Sequence, residues 1–221
     1  MSFSELKYDD QGLVTVVAQD RLTGEIRMLA HADRAALEAT LSTGEAHFYS
    51  RSRASMWRKG ETSGNTLRVH EVWTDCDADA VLYLVDAAGP SCHTERETCF
   101  FRPVDAEGPR DDPDNHARPM LPRLWAELQA RKASTGERSY TRKLLDGGAI
   151  KIGEKIREEA DELARAIESE TDDRVISEAA DELYHLLVGL LHRDVTLRDV
   201  EAELAQRSGT SGLVEKASRT K

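Results

Sequence analysis

The chain has 221 residues, 39% of them hydrophobic, with a formal net charge of -11 and a pI near 5.2. That length supports one large domain or two small ones, each able to bury a core. The acid excess argues against a nucleic-acid binder, which draws its affinity from Lys and Arg set against phosphates, and leaves room for an anionic small molecule wherever positive charge is concentrated locally. No apolar run near Met1–Lys7 serves as a signal peptide and no segment approaches a membrane span, so the expectation is a cytoplasmic protein with no membrane partner. Three cysteines, Cys76, Cys92 and Cys99, are too few and too odd for a disulfide framework in a reducing compartment; metal binding or plain burial remains.

In chain order, apolar β-formers recur at 13–18, 26–29, 47–49, 67–73 and 81–85, separated by turn signals. Between the second and third runs, Asp33 can cap a helix that places Leu37 and Leu41 on one face and ends at Gly44. Residues 1–102 therefore read as an α+β domain with a mainly antiparallel sheet. Residues 103–119 turn to Asp, Pro, Gly and Arg and read as a linker. From 120 to 221 the period becomes helical, with Ile152, Ile156, Ala160, Leu163 and Ile167 in one stripe and Ile176, Leu183, Leu187 and Leu190 in another. A further helix starts at Thr196, with Asp199 in capping-box position, and Gly209 follows its end. The helix through Leu183–Leu191 is apolar nearly all round, so the all-α domain is expected to dimerise into a bundle able to hold a metal in its core.

Two constellations carry chemistry. In Asp75-Cys76-Asp77-Ala78-Asp79, alternation along a strand would turn three carboxylates to one face, where a hard cation such as Mg²⁺ relieves their repulsion; a solvated acidic turn is the plainer reading. Cys76, Cys92 and Cys99 together would hold a tetrahedral Zn²⁺ with one position open, although each alone reads as a small buried hydrophobe. An open position suits hydrolysis, because zinc lowers the pKa of water from about 15.7 to roughly 7. His93 can act as a proton shuttle, a ligand or a surface histidine. Upstream, Arg51, Arg53, Trp57, Lys59, Ser63 and Asn65 combine positive charge, hydroxyl and aromatic groups suited to a phosphoribosyl ligand, or form an exposed basic loop.

In the helical half, Glu159 and Glu162 lie three apart, as do Glu178 and Asp181 on the next helix. Set opposite one another they would offer four carboxylates to Mg²⁺; taken singly, each pair is an ordinary solvated face, and Glu178 and Asp181 point away from the Ile176/Leu183/Leu187 stripe. Lys151 and Lys155 are phosphate partners or solvated lysines.

The segments HFYSRSR (47–53), WRKGETSGN (57–65), DCDAD (75–79) and CHTERETCF (92–100) resemble the phosphoribosyl-AMP cyclohydrolases of histidine biosynthesis over roughly residues 10–102. The resemblance implies zinc on Cys76, Cys92 and Cys99, magnesium on Asp75, Asp77 and Asp79, an active site built at a dimer interface, and opening of the adenine ring by zinc-hydroxide attack at C6. Two positions depart from the family: Glu95 stands where it usually has Gly, and His31-Ala32-Asp33 replaces Tyr-Met-Asn. The pattern EExxE followed by ExxD, with Ser139-Tyr140-Thr141, Lys151-Ile152 and Leu183–Leu187, resembles the MazG-like phosphoribosyl-ATP pyrophosphohydrolases over about 121–207. That implies Mg²⁺-dependent release of pyrophosphate, with Glu159 and Glu162 as catalytic carboxylates, and a product that is the substrate of the first domain. The rival readings are a general nucleoside triphosphate pyrophosphohydrolase with a structural zinc domain, and a non-catalytic metal-binding regulator.

Overall fold

The computed structural model describes residues 3–110, 112, 117–134 and 139–208, and the chain divides into two units between Pro119 and Met120. In the first, alternating burial selects the strands. Along β1 (Val14–Asp20) Val14, Val16, Ala18 and Asp20 face inward, and along β6 (Ala80–Ala87) Val81, Tyr83 and Val85 do the same. With β2 (Ile26–Ala32), β3 (His47–Ser50), β4 (Ser55–Arg58) and β5 (Leu67–Thr74) they form one sheet in the order β4-β3-β2-β1-β6-β5. The expectation of a mainly antiparallel sheet needs correction: the sheet is mixed, because β1 and β6 run parallel at its centre. Such a pair cannot be joined by a hairpin, and everything from β2 to β5 lies in the crossover between them.

Helix α1 (Arg34–Thr43) buries Ala36, Leu37 and Thr40. The Asp33 carboxylate accepts from the Ala36 amide at 2.8 Å, and Gly44 closes the helix at φ 70, as its sequence signals require. Phe48, Leu67 and Tyr83 complete the core. Strand β4 had been folded into the basic loop when read from sequence; its residues pair with β3, Phe48 opposite Trp57. The segment read as a linker holds a short hairpin, β7 (Val104–Asp105) with β8 (Gly108–Pro109), and near its end Arg118 pairs with the buried Glu25 at 2.9 Å.

The second unit is helical: α2 (Met120–Ala133), α3 (Tyr140–Ser169), α4 (Asp172–His192) and α5 (Leu197–Arg207). Its core gathers Leu128, Leu144, Ile152, Leu187, Val188 and Leu191. Thr196 and Asp199 form the expected capping box at the start of α5, whereas Gly209 lies outside the described residues. The two apolar stripes are only partly buried. Ile152 faces inward but Ala160 and Ile167 face out, and on α4 both Ile176 and Leu183 are exposed while Glu178 and His185 are buried. The carboxylate face of α4 is thus its inner face, the reverse of the expectation, because α3 presents acids and a histidine partner there.

Helix α3 is broken at Gly148, whose φ of 69 and ψ of -171 leave the helical region. An L side chain is strained in that backbone. Gly148→Ala is expected to lower the unfolding free energy by about 1–3 kcal/mol in urea titrations; an unchanged midpoint would show that the break does not require glycine.

Candidate active sites

The loop after β6 carries two of the cysteines. It is a tight return in which the Cys92 amide donates to the Arg96 carbonyl at 3.0 Å and Glu95 sits at φ 62. That left-handed conformation is easiest for glycine and costs an L residue roughly 1–2 kcal/mol, so Glu95 keeps the glycine-like turn at the expense of strain. The loop docks on β2, where the Cys99 amide donates to the Arg27 carbonyl at 2.9 Å.

Cys92 and Cys99 both stand at the wall of a cavity of 480 Å³. Burial alone would raise the Cys92 thiol. The Thr94 hydroxyl, donating to Sγ at 3.0 Å, the Thr94 and His93 amides and the Cys99 thiol outweigh it and bring Cys92 below its ordinary value. Cys99, although exposed as a residue, is pushed up to about 11 by desolvation and by the negative charge of Cys92. The two thiols therefore titrate apart, Cys92 before Cys99, and a soft cation would displace their protons, as thiolate ligation requires.

Arg53, Trp57, Lys59, Ser63, Asn65 and His93 line the same cavity, as six of the predicted residues. Arg51, exposed on the β3–β4 turn, does not. Lys59 is buried and donates to the Asn65 carbonyl at 2.9 Å; desolvation lowers its pKa, with Arg27 adding to the effect and the two cysteines opposing it. Gly60 is required here, since a Cβ would stand 2.5 Å from the Asn65 backbone, and at Gly89 a Cβ would stand 2.5 Å from the Asn65 amide oxygen. Met28 and Ser91 also line it without having been singled out, and nothing in their spacing marks them, whereas Glu61 and Thr62 lie within the 57–65 segment.

Cys76 does not join the other two sulfurs. It is exposed in the β5–β6 turn, outside the cavity wall, and the three thiols form no group within 4.8 Å among the described residues. Within one chain Cys76 thus stands apart from Cys92 and Cys99. Asp75, Asp77 and Asp79 do converge within 4.8 Å, though by a turn and not by strand alternation, with Ala78 at φ 65. Asp75 accepts from the Ala80 and Asp79 amides at 3.0 Å, which holds its carboxyl low, while the charges of Asp77 and Asp75 raise Asp79. Three exposed acids so divided fit a hard cation.

In the helical unit, Glu159, Glu178 and Asp181 bring carboxylate oxygens within 4.8 Å, across α3 and α4. Glu162 acts on Glu178 through its charge but stands outside this triple. Glu178 is buried, and desolvation raises its pKa; Arg174 opposes the rise, and Glu162 and Asp181 reinforce it. Lys155 pairs with Glu159 at 2.8 Å and with Glu158 at 3.0 Å, bonds that raise its own pKa further, while Lys151 is tied to Glu154 on the exposed face. Sequence reading assigned His185 no role. Its Nδ1 donates to the Asp181 carbonyl at 2.8 Å, Nε2 accepts from the Tyr140 hydroxyl at 3.0 Å, and Glu159 lies 3.7 Å away. Only its place one residue after Tyr184 in the apolar run hinted at burial.

Comparison with known proteins places both halves. Residues 28–101 match the phosphoribosyl-AMP cyclohydrolase family and residues 121–208 the phosphoribosyl-ATP pyrophosphohydrolase family. The histidine biosynthesis bifunctional protein HisIE of Wolinella succinogenes is 41% identical over 97% of this chain and 96% of its own length. That of Deinococcus radiodurans is 44% identical over 95% of each chain. The chain belongs to this bifunctional histidine-biosynthesis family. A chloroplastic bifunctional relative from Arabidopsis thaliana is 41% identical over 98% of this chain and 79% of its own. The chain is thus a multifunctional hydrolase with its cyclohydrolase domain ahead of its pyrophosphohydrolase domain.

In the metal-free cyclohydrolase domain, the alkylation rate of Cys92 is expected to reach half its maximum at lower pH than that of Cys99, followed peptide by peptide by mass spectrometry. Thr94→Val should move the Cys92 midpoint upward. A Cys99 midpoint below that of Cys92 would contradict the opposed shifts of the two thiols.

Proposed function

We propose that the cyclohydrolase domain opens the adenine ring of N1-(5-phosphoribosyl)-AMP in a site completed by two copies of the chain, and that the pyrophosphohydrolase domain cleaves phosphoribosyl-ATP on a cation held between α3 and α4. On this reading residues 1–102 form the first domain, 103–119 the connection and 120–221 the second. The observation that carries it is the placing of Cys92 and Cys99 in the wall of one cavity that also presents Arg53, Lys59, Ser63 and Asn65.

Two sulfurs do not complete a tetrahedral zinc site with one open position. A second copy would bring its own Cys76, exposed in this chain and flanked by the three acids. Zinc bound there would supply a Lewis acid that makes water nucleophilic at neutral pH. Asp75, Asp77 and Asp79 would hold magnesium against the phosphates. Arg53 and Lys59 pair with one phosphate of the substrate, Arg51 reaches toward the other, Trp57 stacks on the purine, and Ser63 and Asn65 hold the ribose. The water oxygen bonds to C6, the N1–C6 bond breaks, and His93 carries the proton to N1.

In the second domain Glu159, Glu178 and Asp181 would bind Mg²⁺, which neutralises charge on the triphosphate. Glu162, at the edge of that triple, orients the water, and Lys151 and Lys155 exchange their glutamate partners for phosphate oxygens. Exposed Ile167, Ile176 and Leu183 support a MazG-like bundle completed by a second copy. No described helix is long and apolar enough to cross a membrane, and three free thiols fit a reducing compartment, for which we propose the cytoplasm.

Cys92→Ser is expected to abolish ring opening by at least a hundredfold while pyrophosphate release from phosphoribosyl-ATP continues, and Glu178→Gln to abolish pyrophosphate release while ring opening of supplied phosphoribosyl-AMP continues, both read by product analysis. Mixing inactive Cys76→Ser and Cys92→Ser chains under subunit exchange should restore about a quarter of the ring-opening activity, since half of the dimers are then mixed and each holds one intact site. No restoration in exchanged dimers would sink the shared site.

The raised carboxyl of Glu178 sets a pH dependence. As pH falls through that pKa the proton competes with Mg²⁺, so half-saturation of pyrophosphate release should need more Mg²⁺ at lower pH. A Mg²⁺ requirement constant from neutral pH into the carboxylate range would contradict it.

A further inference from the structure

Arg27 lies under the cysteine loop and is only 5% exposed. A buried guanidinium needs acceptors for its donors and a counter-charge. Nε donates to the Ser91 hydroxyl at 3.1 Å, Nη2 to the Gly89 carbonyl at 3.1 Å and to Glu97 at 2.8 Å, and Nη1 to Glu25 at 3.3 Å. Three of these four acceptors therefore sit on one short stretch, on both sides of Cys92. The carbonyl of the same residue takes the Cys99 amide at 2.9 Å. Beneath it, Glu25 is 3% exposed and paired with Arg118 at 2.9 Å, so two cations and two carboxylates balance.

We propose that Arg27, backed by Glu25 and Arg118, is a positioning residue of the cyclohydrolase reaction: it pins both limbs of the 89–99 loop to β2 and thereby sets the separation and direction of the Cys92 and Cys99 sulfurs. The inference rests on the reading of those sulfurs as zinc ligands. Arginine suits the place because its planar fork reaches a hydroxyl, a carbonyl and two carboxylates at once, whereas a lysine ammonium is a point donor on a flexible stem. Groups that orient metal ligands in this way typically contribute 10- to 100-fold to metal affinity. The loop's own bonds do not replace the clamp. They close the tip, Cys92 to Arg96 and Ser91 to Glu97, but leave the tip's attachment to the sheet to Arg27, to the Cys99 amide and to Thr98, whose hydroxyl donates to the Ile26 carbonyl.

The test uses the full chain with Arg27→Lys, Arg27→Met and, at the exposed rim of the clamp, Glu97→Gln. Zinc affinity is read by competition with a chromophoric chelator, loop order in the metal-free protein by hydrogen exchange over 89–99, and turnover as kcat and KM for ring opening. Both Arg27 variants should bind zinc at least tenfold more weakly, exchange faster across 89–99, and lose kcat more than KM; lysine should fail to rescue because charge alone is not what the site uses. Glu97→Gln, which removes only one acceptor's charge, should show the same pattern to a smaller degree and serves if the Arg27 variants do not fold. Wild-type zinc affinity and exchange in folded Arg27 variants, or in Glu97→Gln where those do not fold, would overturn the inference. Wild-type protein that binds no zinc would instead overturn the metal reading, and faster loop exchange in the variants would then still bear out the clamp.

Discussion

Anionic donors crowded closer than water alone would tolerate are the condition on which both halves of this protein rest. In the first domain the Thr94 hydroxyl lowers Cys92 against the effect of its burial, while desolvation and the charge of Cys92 drive Cys99 up to about 11. In the second, Glu178 is buried against Glu162 and Asp181 with only Arg174 to offset them. Each arrangement carries a cost in the absence of a cation and is relieved by one, so the fold stores in side-chain repulsion what a metal would return as binding.

The surrounding architecture explains how such crowding is held. The parallel β1–β6 pair at the centre of the sheet buries Val16, Ala18, Tyr83 and Val85, giving the loop after β6 a rigid base. The loop is then clamped to β2 by side chain and backbone alike, and the 60–66 segment closes over it where glycine at 60 and 89 lets Asn65 approach. In the helical unit the same task falls to the packing of α3 on α4, with Lys155 and Arg174 neutralising acids that no solvent reaches well.

Much of this was legible in the residues, and the exceptions have physical reasons. The apolar β-runs, the Asp33 and Gly44 caps and the Thr196–Asp199 capping box are local signals, and all appear in place. Pairing partners are not local: nothing in β1 or β6 announces that they run parallel, and β4 was hidden because Ser55, Met56 and Arg58 are partly polar on an edge strand. Helix α2 was not named from the sequence; its Pro122 sits in the first turn, where the missing amide is harmless. On α4, hydrophobicity selected Ile176 and Leu183 for the interior, but the interior also has to receive Glu159 and Tyr140 from α3, and it takes Glu178 and His185 instead. Spacing likewise could not tell that Cys76 belongs to a different rim from Cys92 and Cys99.

The buried positions Ile152, Glu159 and Ala166 on α3 recur every seventh residue, the interval of a coiled-coil seam, with the acid at the middle position. A polar group in such a seam penalises every alignment but one: sliding α3 by a turn would trade the company of His185 on α4 for hydrocarbon. Glu159 thus doubles as a registration key, and the convergence of Glu159 with Glu178 and Asp181 and the phase of the helix pair are settled by the same side chain.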